Sequence, residues 1–349
     1  MHQTAIPIPK VTPNAGYSLF YNAYLYCGAW LLRKAVALTT TNGSLFTKHV
    51  FVDTPGLGNG RVKCSVCIPE NRSGEQLPKL LPLILVFEGG GFVLGQPADG
   101  EKHDRFLSNE LNAVVISVDY AKAPRHPYPH ALLQLYEVLS WSLSSRGANE
   151  LGVGIDATRV AIMGNSAGGN LTAALSLLTS FTEGPCKVFR EDLPKDYRQV
   201  AQVLIYPSTA CHQLYRTRLA GTSAEVQEKS LPVWVAELME GAYLPPSVEK
   251  EQIFVGPVLA SCDLLQELKQ HIAPVTCLIA GLDCLKDEAL QYCRHLEDVG
   301  VEVSVKEYPE AIHGFSHFRE GKKNFRKDDV EDCWRVVSDA LGHAFKRTA

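Results

Sequence analysis

Past residue 48 the chain alternates short apolar runs with longer stretches whose apolar residues recur every three or four positions. The short runs predict strands at His49–Asp53, Arg61–Ile68, Leu81–Glu88, Ala113–Asp119, Arg159–Gly164, Ala201–Tyr206, Val275–Ala280 and Val301–Tyr308. The longer ones predict helices at His130–Ser144, Ala167–Thr179, Glu288–Val299 and Val330–Phe345. Two opening strands followed by strand–helix repeats imply an α/β fold: a mixed, mostly parallel eight-stranded sheet with helices on both faces. Two segments stand outside the repeat. They are residues 1–48 and roughly 208–256, the second polar at first and then helical through Leu231–Met239. With no internal repeat and no linker, residues 1–349 read as one α/β domain carrying two helical insertions.

Tyr17–Leu32 is apolar but holds Asn22 and ends at Arg33-Lys34, short of the ~20 residues a spanning helix needs. Its aromatics Tyr17, Phe20, Tyr21, Tyr24 and Trp30 share roughly one helical stripe, which predicts a docked amphipathic helix, with peripheral anchoring at a membrane as the alternative. The 34 basic and 38 acidic residues nearly balance, which argues against a nucleic-acid partner. A hydrophobic content of 46% excludes disorder as the main character. Ten cysteines are scattered, so no disulfide scaffold is implied and a reduced, cytoplasmic compartment is expected. The pair Cys64 and Cys67 lies in a strand, where residues three apart face opposite ways, a poor start for a metal or redox site. Met1–Pro13 shows no cleavable signal pattern, and the sequons at Asn42, Asn71 and Asn170 are short enough to arise by chance. No cofactor is implied, and a homodimer stays open.

The chemistry concentrates at strand ends. The run Arg159–Met163 leads into Gly164-Asn165-Ser166-Ala167-Gly168-Gly169-Asn170 and then a helix, the context in which G-x-S-x-G exposes a nucleophilic serine on a strained turn. The Ala167 amide and the helix dipole there favour an oxyanion. A plain glycine turn with Ser166 as helix cap is the competing account. A hydrolytic serine needs a base and an acid that orients the base. Asp283 follows the strand ending at Ala280, and His313 follows the one ending at Tyr308, giving the order serine, acid, histidine. Asp287 and Glu288 read as an ordinary helix first turn, and His313 with His317 lacks the glutamate of a zinc helix. Glu88-Gly89-Gly90-Gly91-Phe92 ends another strand, where bare glycine amides approach a substrate oxygen; Gly89 and Gly90 are the expected second half of an oxyanion hole. No lysine follows as a phosphate loop requires, and the remaining alternative is a plain bulge-forming loop.

Together these residues resemble the hormone-sensitive-lipase-like branch of serine carboxylesterases, with its arylacetamide deacetylase-like and plant carboxylesterase-like members. The matching pieces, spread over roughly residues 50–345, are the glycine loop at 89–92, Tyr120–Pro124 with Pro127 and Pro129, Gly164–Asn170, Asp283 with Asp287-Glu288, and His313-Gly314-Phe315. The resemblance implies an α/β-hydrolase fold, a helical cap built from residues 1–48 and about 208–256, and an ester or acyl substrate. Three positions depart from the family pattern: Glu88 where it writes histidine, Arg125 where it writes glutamate, and Asn165 where an acid commonly precedes the nucleophile. A carboxylate at Glu88 works against a nearby oxyanion unless it is neutralised, and Arg125 or another donor is the expected partner. Three readings follow. The first is hydrolysis of small or medium apolar esters. The second is lactonase, thioesterase, acyl-transfer or cyclisation chemistry in natural-product metabolism. The third is a non-catalytic binding protein on the same scaffold.

Overall fold

The computed structural model describes residues 2–12, 16–38, 44–70, 79–321 and 323–347. The strands are β1 (Lys48–Asp53), β2 (Arg61–Cys67), β3 (Leu80–Phe87), β4 (Val114–Asp119), β5 (Gly154–Asn165), β6 (Gln199–Ile205), β7 (Val275–Leu282) and β8 (Val303–Ile312). The helices in the first half are α1 (Leu19–Ala37), α2 (Glu101–Leu111), α3 (His130–Ser142), α4 (Ser145–Leu151), α5 (Ala167–Leu178) and α6 (Val188–Glu191). Those in the second are α7 (Tyr215–Ala220), α8 (Ala224–Lys229), α9 (Val233–Tyr243), α10 (Cys262–Leu268), α11 (Lys286–Asp298) and α12 (Lys327–Lys346).

Among the described residues the eight strands form one sheet in the order β1-β2-β4-β3-β5-β6-β7-β8. The pairs β1–β2 and β2–β4 are antiparallel, and the rest are parallel. The central strands are apolar throughout because both faces are covered. Leu83, Leu85 and Phe87 of β3 enter the core beneath α3, α5 and α11, whereas Ile84 and Val86 meet α2 and α12 on the other face. Cys64 and Cys67 separate onto these two faces in the same way.

Eight strands stand where the apolar runs predict them, with shifted ends. Strand β5 begins at Gly154, and its first half is only partly buried, which hides it from a search for apolar runs. Helix α2 also escaped the pattern, because it is highly charged, yet it buries Glu101 and Asp104. The N-terminal helix docks with only part of its aromatic stripe, Tyr17 and Tyr21 lying against Gly241 of α9. Its buried residues are Leu25 and Ala29, while Phe20, Tyr24 and Trp30 are exposed. Close approach decides this: a Cβ on Gly28 would lie 2.1 Å from Leu238 Cδ1 of α9, so α1 crosses α9 on its small-residue side. Arg33 then donates to the carbonyls of Val93 and Ala123 at 3.0 and 2.7 Å. No described helix is long and apolar enough to cross a membrane. Asn42 and Asn71 lie outside the described residues; Asn170 is buried, donating to the carbonyls of Ser208 and Val255.

Candidate active site

Three strand ends converge. Strand β5 runs into α5 through Ser166, whose backbone holds φ 52° and ψ −117°. That conformation strains any residue with a Cβ, and it persists only where the surroundings enforce it. The enforcement is close packing: a Cβ on Gly168 would lie 1.8 Å from the Phe87 carbonyl oxygen, and one on Gly164 2.4 Å from Gly168. On the far side of the sheet the register pairs Leu282 with Ile312, so the next residues to matter, Asp283 and His313, emerge side by side. His313 Nδ1 lies 2.6 Å from Asp283 Oδ2, and Nε2 lies 2.8 Å from Ser166 Oγ. The other Asp283 oxygen accepts the Leu285 amide at 3.0 Å, which fixes the carboxylate. Burial works against protonation of His313, but the Asp283 charge and hydrogen bond, with Glu288 behind them, outweigh it and lift the pKa above the ordinary value.

The glycine loop follows β3, and pairing of Phe87 with Gly164 sets it beside the serine. Gly90 and Gly91 adopt φ of 112° and 60°, and a Cβ on Gly95 would lie 1.7 Å from the Gly89 carbonyl oxygen. The amides of Gly90 and Ala167 make no hydrogen bond among the described residues, as an oxyanion site requires. Gly89 differs from expectation. Its N–H donates to Asn165 Oδ1 at 2.5 Å, so the amide locks the loop to the nucleophile turn rather than pointing at a substrate.

The expected ion pair between Glu88 and Arg125 is absent. Arg125 is exposed on the turn after β4, where Lys122 is held by Asp119, and Ala123 by Phe92 and Arg33. These bonds tie the turn to α1 and to the loop after β3. Other donors take that carboxylate: Asn165 Nδ2 at 2.9 Å and His317 Nε2 at 3.3 Å. Glu88 is 5% exposed, and its Oε1 packs where a Cβ on Gly100 would stand, 2.0 Å away. His317 was legible only as the residue four beyond His313, a spacing that suggests metal binding and not this partnership.

A cavity of about 390 Å³ opens over Ser166, walled by Phe92, Leu94, Leu231, Met239, Tyr243 and Leu244 among others. Phe92 stacks on Tyr243 with centroids 3.6 Å apart, joining the glycine loop to α9. At one wall Arg218 of α7 donates to both Glu288 oxygens at 3.1 and 3.0 Å and to Glu240 of α9 at 3.0 Å. Glu288 therefore does more than complement the dipole of α11. No sequence pattern marks a lone arginine in an irregular insertion as its partner.

Ser166 on the turn after β5, with Asp283 and His313 past the ends of β7 and β8 of a mostly parallel sheet, is the layout of an α/β-hydrolase fold. Residues 84–317 match the alpha/beta hydrolase fold family, and the chain belongs to it. An arylesterase of Saccharolobus solfataricus is 40% identical over 234 residues, covering 67% of this chain and 68% of that one. Carboxylesterase NlhH of Mycobacterium tuberculosis is 28% identical over 240 residues, 68% of this chain and 67% of that one. Among solved structures, an esterase from Rhizomucor miehei superposes with a TM-score of 0.71 at 21% identity, over 97% of this chain and 94% of that one, a likeness of fold.

Proposed function

We propose that this chain hydrolyses carboxylic esters of small or medium apolar substrates through an acyl-enzyme on Ser166. The observation that carries the reading is His313, bridging Ser166 Oγ and Asp283 Oδ2 at 2.8 and 2.6 Å. His313 Nε2 takes the Ser166 proton as Oγ bonds to the ester carbonyl carbon. The carbonyl oxygen, now an oxyanion, accepts from the amides of Gly90 and Ala167. Collapse breaks the bond to the alcohol oxygen, which leaves with the proton from His313. Water, deprotonated by His313, then attacks the acyl carbon, and the carboxylic acid departs as Ser166 regains its proton. Asp283 holds the imidazole tautomer and faces the imidazolium while it exists.

The apolar cavity suits a compact ester, and the N-terminal helix with the 208–256 insertion forms the cap that selects it. The esterase names of the relatives favour hydrolysis over the other readings. Ten unpaired cysteines, eight of them buried, support a reduced, cytoplasmic setting. The test is Ser166→Ala with p-nitrophenyl acetate and an organophosphate label. Turnover falls by several orders of magnitude and labelling is lost while the melting temperature holds. Near-wild-type turnover would overturn the assignment.

A further inference from the structure

Two of the three departures from the family pattern, Glu88 and Asn165, form one connected array with His317, while Arg125 stands outside it. Asn165 uses both ends of its amide: Oδ1 accepts from the Gly89 N–H at 2.5 Å, and Nδ2 donates to Glu88 Oε2 at 2.9 Å. A carboxylate at 165 would serve the first contact and repel Glu88 in the second. The same Glu88 oxygen faces His317 Nε2 at 3.3 Å, and Asn165 Nδ2 lies 3.3 Å from that ring nitrogen, so with the ring charged both donors converge on the one carboxylate. The other ring nitrogen, Nδ1, lies 2.9 Å from Ser316 Oγ and 3.2 Å from Tyr206 Oη, and hydroxyls accept from an N–H as readily as they donate to a bare nitrogen. All members are enclosed; the side chains of Glu88 and His317 are 6% and 18% exposed.

We propose that His317 is a positioning residue for the oxyanion loop, working as an imidazolium whose pairing with Glu88 keeps the chain Glu88–Asn165–Gly89 assembled beside Ser166. This rests on the ester-hydrolase reading above. A Glu88 carboxylate without that partner is a buried charge a few residues from the developing oxyanion, which it opposes. Turnover then needs two histidines in opposite states, His313 neutral as base and His317 charged as partner.

The surroundings of His317 set the sign. Burial disfavours its charge, but Glu88 at the end of β3 and Asp99 ahead of α2 outweigh that and Arg319, so its pKa lies above the ordinary value. His103 of α2, stacked on Trp334 of α12, is pushed well below its ordinary value by burial, then by His317, Lys102 and Arg319, and stays neutral. Asp104 of α2 has its pKa pushed well above the ordinary value, by burial first and Glu88 second, which works against a second negative charge here. Tyr206 is pushed far up by burial and remains a neutral phenol. The His317 charge is lost as pH rises through the raised value, which produces an alkaline limb in the rate profile.

The experiment follows kcat and KM for p-nitrophenyl acetate across pH in wild type, Glu88→Gln, His317→Gln and the double variant, with melting curves as the folding control. The wild type shows the alkaline limb. His317→Gln lowers kcat roughly 10- to 100-fold with KM little changed and has no alkaline limb. Adding Glu88→Gln to it restores most of the loss, because no charge is then left unpartnered. Nitrogen-15 NMR of the imidazoles gives a reading independent of turnover: the His317 titration moves to lower pH in Glu88→Gln. An alkaline limb that survives in His317→Gln, strictly additive effects, or an unmoved titration overturns the proposal. Each of these leaves the hydrolase reading standing so long as Ser166→Ala is inactive.

Discussion

Ser166 keeps its strained backbone because the residues two before and two after it lack a Cβ, so the elbow is a packing constraint before it is a catalytic one. Gly168→Ala places a methyl 1.8 Å from a backbone oxygen of β3, with no flexible side chain to yield. It is expected to cost at least about 3 kcal/mol, read by urea unfolding, through enforced strain and overpacking. Asp283→Asn tests the base instead. The amide keeps the shape but removes the charge that outweighs burial at His313. The expected result is a fall in kcat of about 10⁴-fold with a folded protein. Because His313 must be neutral to act, the residual activity rises with pH at a lower midpoint than in wild type, and a pH–rate profile decides it. An unmoved acid limb would mean that Asp283 does not set the His313 pKa.

Elements meet at Arg218, where one guanidinium from α7 joins α9 through Glu240 to the first turn of α11 through Glu288, just past Asp283. Burial raises both carboxyl pKa values, with Arg218 opposing the rise. Arg218→Ala leaves two enclosed carboxylates without a cation, each keeping one backbone amide, Ala210 on Glu288 and Tyr215 on Glu240, and is expected to cost about 3 kcal/mol at neutral pH. The sign with pH follows: groups whose folded pKa is raised impose no penalty when protonated in both states, and the penalty grows as pH climbs from the ordinary carboxylate value through the raised one. Unfolding at pH 4 and pH 7 should thus show a smaller loss at pH 4; an equal loss would mean that Arg218 acts through packing alone. The strands and the elbow were legible because period and spacing encode them locally. Arg218 with Glu288, and Glu88 with His317, were not, because each pair is brought together by topology across 70 or more residues. Charge reasoning at Glu88 foresaw the need for a donor and named Arg125 or another; Asn165 and His317 are those others, and nothing in the sequence singles out His317.

For the whole molecule, the proposed separation of labour is between a sheet that sets the chemistry and a cover that sets access. The sheet could be read from apolar runs because burial on both faces leaves a compositional trace. The cover left a partly misleading one: aromatic residues at helical spacing suggested the docking face of α1, whereas docking uses Leu25, Gly28 and Ala29 with Tyr17 and Tyr21 and leaves Phe20 and Trp30 outside. What ties α1 down near the cavity is Arg33, bonded to the carbonyls of Val93 and Ala123, while Val36 one turn on lines the cavity itself. Arg33 touches neither Ser166 nor His313 nor the glycine amides, so its loss should act on access and not on chemistry. Arg33→Ala removes this donor from the carbonyls of the buried Val93 and Ala123, at a cost to stability of about 1–3 kcal/mol. The expected kinetic result is a KM several-fold higher for butyrate and hexanoate p-nitrophenyl esters, with kcat for the acetate within about twofold of wild type. Equal losses of kcat on all three esters would place Arg33 in the support of the glycine loop, through Val93, and remove α1 from substrate selection.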